Sequence, residues 1–343
     1  MKRYRGTAEW RGRWPVPIGL LTGTFLALLP VTALAHSGPP PVPETLWTTW
    51  NFDPLVLLVL TLGITVYLRG VRAIWARAGR GRGVKTWQVA SVLGGYLSIA
   101  IALISPLDPL SSALFSAHMG QHLFLITIAP LLLIVGDVSS ASIWGLPSSW
   151  RRLIPKFWKR AGLLGKLWAV LVLPLIALAL HSLVIWIWHV PAFYDAAVRN
   201  ELIHAVEHLT MFLTAALFWW VVLQRGRQAG MNYGIGILMI FGLVLQKTAL
   251  GALISFSPNP WYSEYATTTA PFGITPIEDQ QLAGAVLMGP GGFIYLIIGV
   301  VLFAGWFRAI ERSVDRDDEI AGLATASGHA HTQAGAHRVR ETV

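Results

Sequence analysis

Apolar runs of about 20 residues recur along the chain, and short stretches between them hold most of its charge. A helix of that length spans a hydrocarbon core of ~30 Å. The runs fall near residues 52–69, 87–105, 113–135, 167–189, 201–223, 233–254 and 284–307. They predict an all-α fold, a polytopic membrane helix bundle of about seven transmembrane helices. Pro130, Pro174 and Pro290 lie inside these runs, and each missing N–H is expected to kink or loosen its helix.

The segment before the first run reads as a targeting signal. Lys2, Arg3, Arg5, Arg11 and Arg13 precede an apolar stretch from Val16 to Leu29 and an Ala33-Leu34-Ala35 cleavage pattern. The expected organisation is a cleaved signal peptide over 1–35, an external Pro-rich segment over 36–51, and a transmembrane domain over 52–312. A disordered cytoplasmic tail over 313–343 follows, rich in Ala, Gly and polar residues. Basic residues fix the orientation. Arg69, Arg72, Arg77, Arg80, Arg82 and Lys85 lie in the first loop, Arg151, Arg152, Lys156, Lys159, Arg160 and Lys166 in the third, and Arg225 and Arg227 in the fifth. The alternate loops hold only Arg199. The positive-inside rule then puts the mature amino terminus outside a plasma membrane and the carboxyl terminus in the cytoplasm.

Composition agrees: 54% of the residues are hydrophobic, 13% are charged, and mean hydropathy is +0.57. The net charge of +9 sits in loops rather than on one basic surface, so it reads as membrane orientation and not as a nucleic-acid partner. The chain has no cysteine, which excludes disulfides, thiolate metal sites and thiol redox chemistry. Residues 144–166 mix Trp144, Trp150, Phe157 and Trp158 with basic residues, as in an amphipathic stretch along the inner interface.

Against this background the histidines stand out. His118-Met-Gly-Gln121-His122 and His204-Ala-Val-Glu207-His208 each open a span entered from the outside, and i, i+4 spacing stacks the two imidazoles on one helix face. His181 and His189 lie in the span that ends outside, so all six fall in the outer leaflet. Ionisable groups at membrane depth are costly and mark function. Six at matched depth imply a shared metal or cofactor site. Met211 continues the His204 and His208 face one turn deeper, whereas Met119 and Met288 are less clearly aimed inward. Imidazole with thioether favours cuprous copper. Gln121 and Glu207, each beside its second histidine, are expected either to orient imidazoles or to link to another helix. Signal cleavage would leave His36 at the new terminus, where amine and imidazole together chelate copper; the alternative is an ordinary polar start to the linker. His329, His331 and His337 read as residues of a solvated tail.

Other chemistries use the same residues. His204 to His208 matches H-x-x-E-H, a zinc-protease pattern, but no downstream acidic ligand is evident. Facing histidines such as His122 and His208 could ligate a bis-histidine haem. A metal transporter would use a histidine-lined path, with Lys247 along it or snorkelling to the outer interface. The external stretch from Ser255 to Gln281 carries Trp261, Tyr262, Tyr265, Glu278 and Asp279; it would lid the cluster, meet a partner's copper domain, or form an aromatic belt.

Five motifs occur in order: Ser105-Pro-Leu-Asp108; Phe115-Ser-Ala-His118 through His122; Trp188-His189-Val-Pro191 through Tyr194-Asp195; Leu202-Ile-His204 through His208 to Trp220; and Glu278-Asp279-Gln280-Gln281 with Gly289-Pro-Gly-Gly292. Over about residues 90–310 the chain resembles the CtaG-like cytochrome c oxidase assembly factors associated with caa(3)-type oxidases. The resemblance implies a plasma-membrane protein, not an enzyme, that matures a haem-copper oxidase by handling copper. Its partners would be oxidase subunits and other copper-handling assembly proteins. By matching motifs, His118, His122, His189, His204 and His208 would carry the metal, with Asp108, Asp195 and Asp279 near the same outer mouth; His181 rests on depth alone. The expected cofactor is copper, with zinc and haem still open, and one face shaped by His118, His189 and His204 is expected to open outward. The sequence does not fix the oligomeric state.

Overall fold

The computed structural model describes residues 40–153, 162–225 and 233–340. The expected signal peptide, His36 and part of the expected amphipathic stretch, including Phe157 and Trp158, lie outside them. All regular structure among the described residues is helical.

Local chemistry starts the first helix, α1 (Pro54–Ala78). The Asp53 carboxylate accepts from Leu55 N at 2.6 Å and Val56 N at 3.2 Å, and Pro54 supplies a preset φ at the first position. Then come α2 (Thr86–Leu103) and the short α3 (Leu107–Ser111). The next span is built of α4 (Phe115–His122), a π-helical stretch over Leu123–Ile128, and α5 (Ala129–Val135). Pro130 follows the widened turns, where one ladder hydrogen bond is lost in any case. After α6 (Val138–Gly145) come α7 (Gly162–Leu171), α8 (Pro174–Trp188), α9 (Pro191–Arg199), α10 (Glu201–Trp220), α11 (Tyr233–Ser255) and α12 (Pro276–Arg340).

Six of these stretches are long and apolar enough to cross a membrane, and α7 with α8 makes a seventh, bent by 79°. The expected span at 167–189 is therefore not straight. Pro174 begins α8 after an extended Leu173, because its ring cannot continue the helix of α7. Helix α12 runs on to Arg340, through the stretch whose composition predicts no order.

The two histidine-bearing spans are the central ones. The apolar window of Glu201–Leu223 is 78% buried and that of Phe115–Val135 67%, against 17% for Pro276–Arg312. The outer helices turn Leu58, Leu62, Phe241, Leu245, Val300 and Val301 outward, where lipid replaces water as the apolar solvent. Helices α11 and α12 pack backbone to backbone through Gly251 and Gly284. A Cβ on Gly284 would lie 2.5 Å from the Gly251 carbonyl oxygen, so any larger residue would push α12 away. That contact fixes the first turns of α12, which carry Asp279.

Candidate metal centre

Helix α4 is positioned from a distance. Leu114 offers no cap, and the Asp279 carboxylate of α12 accepts instead from Phe115 N at 2.6 Å, Ser116 N at 3.1 Å and the Ser116 hydroxyl. One turn on, His118 and His122 share a helix face, their Nε2 atoms 3.0 Å apart. Opposite lies α10, started by Asn200, whose side chain accepts from Leu202 N at 3.0 Å and Ile203 N at 3.1 Å. It presents His204, Glu207 and His208. The ring centroids of His118 and His208 are 5.9 Å apart, and those of His122 and His208 5.3 Å.

Ligand atoms of His118, His122, Glu207 and His208 all lie within 4.8 Å of one another, and all four residues are buried. Two donors on one ion stand at most about 4.4 Å apart at ordinary bond lengths, so the group is close to closed around a metal. Both Glu207 oxygens are buried and accept no hydrogen bond; the facing nitrogens are His122 Nε2 at 3.6 Å and His118 Nε2 at 3.9 Å. A buried carboxylate in that position is costly unless a cation faces it. The donor set, three imidazoles and one carboxylate, fits a divalent transition metal.

A loop over residues 256–275 lies across this end of the bundle. Tyr262 Oη donates to the His189 carbonyl at 3.0 Å, Thr268 Oγ1 to the Ala113 carbonyl at 2.7 Å, and Ser263 Oγ to Asp195 Oδ2 at 2.7 Å. Tyr265 Oη donates to the Ser111 carbonyl at 2.9 Å, and stands 3.0 Å from Tyr194 Oη and 3.4 Å from His118 Nδ1. With the Tyr265 proton committed to Ser111, the His118 Nδ1–H donates to Tyr265, which leaves Nε2 bare toward the centre. Burial pushes the Tyr194 and Tyr265 hydroxyls well above their ordinary pKa, so both stay protonated donors. The open face expected at His118, His189 and His204 is closed by these contacts: His118 is 1% exposed and His189 3%, and His204 alone of the three is only partly buried.

The remaining candidates divide. His204 borders the four-residue group, its ring 4.1 Å from His208 and 5.2 Å from His118. His189 donates from Nδ1 to the Ile185 carbonyl at 2.7 Å and turns Nε2 to Met119 Sδ at 3.4 Å. Met119, which the helical pattern aims inward less clearly than Met211, therefore stands at the cluster. Met211 packs instead with Ala102, Leu125, Ile126 and Ala215. His181 bonds Thr214 Oγ1 through Nδ1 at 3.0 Å and lies against Phe218, away from the other five. Glu207 faces the imidazoles of α4 directly rather than standing behind those of its own helix. Gln121 instead donates to the Ala102 carbonyl at 2.9 Å and to Asp108 Oδ1 at 2.7 Å, and touches no imidazole. Asp108 also accepts from Asn51 at 2.7 Å. Asp108, Asp195 and Asp279 thus tie the elements around the cluster together. Lys247 is buried with its ammonium 5.2 Å from the Tyr295 ring centroid, so it does not snorkel outward.

A histidine and carboxylate cluster between the central spans of a polytopic helical bundle defines a membrane protein with a buried polar site. Residues 65–309, more than half the chain, match the family described as cytochrome c oxidase caa3 assembly factor, and the chain belongs to that family. It is also 25% identical over 295 residues to the uncharacterized protein Mb0105 of Mycobacterium bovis, and 25% over 292 residues to the uncharacterized protein ML1998 of Mycobacterium leprae. Each alignment covers 82% of this chain and 43% of the relative, so the chain spans less than half the length of these proteins. No solved structure matches.

Proposed function

We propose that this protein binds copper at the His118, His122, Glu207 and His208 cluster and helps deliver it to a cytochrome c oxidase during assembly. The observation that carries the reading is the buried Glu207 carboxylate, without hydrogen bonds, within 3.9 Å of two imidazole nitrogens. Family membership supports a role in cytochrome c oxidase assembly; oxidase subunits and other copper-handling assembly proteins are the partners this reading implies. The role is non-catalytic. The loop charges support a histidine end that faces outward, and the reading sets the protein in a plasma membrane.

The rivals fit less well. A bis-histidine haem needs a flat slot, free of side chains, running outward between its two axial rings. His122 and His208, the facing pair, have centroids 5.3 Å apart, and His118 and Glu207 fill the space beside them. A transporter needs a path onward, but Met211, Ala215, Leu125 and Ile126 form an apolar layer next to the cluster. Zinc suits the donor set and is separated by experiment.

Purification of the full-length protein from copper-replete membranes, with elemental analysis and an optical spectrum, tests the reading. About one copper per chain is expected for a single four-donor site. His122→Ala and His208→Ala should each lose it at unchanged expression. No copper above background, zinc in its place, or a Soret band would each overturn it.

A further inference from the structure

Met119 and His189 meet in a contact that the four-residue group leaves unused. The Ile185 carbonyl can only accept, so His189 Nδ1 carries the ring proton and Nε2 presents a bare lone pair. Opposite it, at 3.4 Å, is the Met119 sulfur, which has no hydrogen to give. Two lone-pair donors face each other with no proton between them. Both residues are at most 3% exposed, so water does not separate them from outside. The His122 ring lies 6.2 Å from that of His189, and its Nδ1 is buried without a hydrogen-bond partner.

Donor softness distinguishes this pair from its neighbours. A thioether with imidazole selects cuprous copper, whereas a carboxylate with imidazoles suits divalent ions. We propose that Met119 and His189, with His122 as the residue common to both, form a second position selective for monovalent copper beside the divalent-type position at His118, His122, Glu207 and His208. This rests on the reading of the cluster as a metal centre and adds the oxidation state of its cargo. An ion arriving in either state would find a matched donor set, and the shared His122 would keep the two positions from filling independently.

X-ray absorption on the full-length protein tests it, with samples loaded separately with cuprous copper under anaerobic conditions and with zinc. The chain contains no cysteine, so any sulfur scatterer at the metal is a methionine. Sulfur is expected on copper and absent on zinc. Met119→Leu, which conserves volume, should remove the sulfur signal and weaken cuprous binding at least about tenfold. Zinc affinity should change by less than about threefold, because Met119 is not a donor at the divalent-type position. Glu207→Gln should show the reverse preference. A cuprous sample without sulfur, or equal losses for both ions in Met119→Leu, would overturn the second position and leave the copper centre standing. Failure of the unmodified protein to bind either ion would overturn both.

Discussion

In α4 the residue three places after the first histidine, Gln121, turns from the cluster to Asp108 and the Ala102 carbonyl. In α10 the residue in the same slot, Glu207, aims its carboxylate at His118 and His122. The helical azimuth is equal in the two motifs, so the neighbours decide. Gln121 faces α2 and α3, where a carbonyl and a carboxylate both take an N–H, and an amide satisfies them. Glu207 faces imidazoles, and a carboxylate, which only accepts, is left without N–H partners. The first arrangement links helices, and the second waits for a cation.

Glu207→Ala should therefore give the largest effect, a loss of metal affinity of at least about 100-fold, as a buried ligand is removed outright. Glu207→Gln should raise the melting temperature of the metal-free protein, because an amide can donate to the facing imidazole nitrogens where the Glu207 oxygens have no hydrogen-bond partner. A metal affinity unchanged in Glu207→Ala would erase the distinction between the two slots.

Asp279 comes next, since it holds the α4 pair from another helix. Asp279→Ala should cost about 1–2 kcal/mol through the lost cap and lower metal affinity about tenfold by loosening His118. Asp279→Asn, which keeps an accepting oxygen, should recover part of both. Gln121→Leu should lower stability by about 1–3 kcal/mol and leave metal content at its original level. Thermal melts in detergent with and without metal read both variants, and metal lost from Gln121→Leu would place that residue in the centre after all.

How much of this was legible in sequence depends on the range of the force involved. Seven apolar runs are readable because bilayer thickness sets their length, and the His118/His122 and His204/His208 pairs because one helical turn stacks them. The 79° break before Pro174 has a local cause, yet its angle depends on packing. Depth alone joined His181 to the cluster, but its ring turns to Thr214. Met211 follows the correct face one turn too deep. Met119 lies about 100° around the helix from His118, and only the arrival of His189 from α8 makes it a neighbour of the site. The closing loop has no periodicity to read; its tyrosines act through contacts with residues more than 70 positions away.

Tyr265→Phe removes neither a ligand nor a helix cap and tests how the α4 pair is oriented. The hydroxyl takes the His118 Nδ1–H and passes its own proton to Ser111, so its removal frees the ring to change tautomer without removing a ligand. Metal affinity should fall about tenfold, the low end for a group supporting a ligand. Because burial holds the Tyr265 hydroxyl protonated well above its ordinary range, the gap between the two proteins should stay constant from about pH 7 to about pH 10, where an exposed tyrosine would begin to ionise. Titrating metal into both proteins across that interval measures the gap. A gap that closes toward pH 10 would mean that Tyr265 ionises and does not hold His118 as a fixed neutral partner. A gap that is absent throughout would mean that helix geometry alone orients His118, as the Ile185 carbonyl orients His189 within α8.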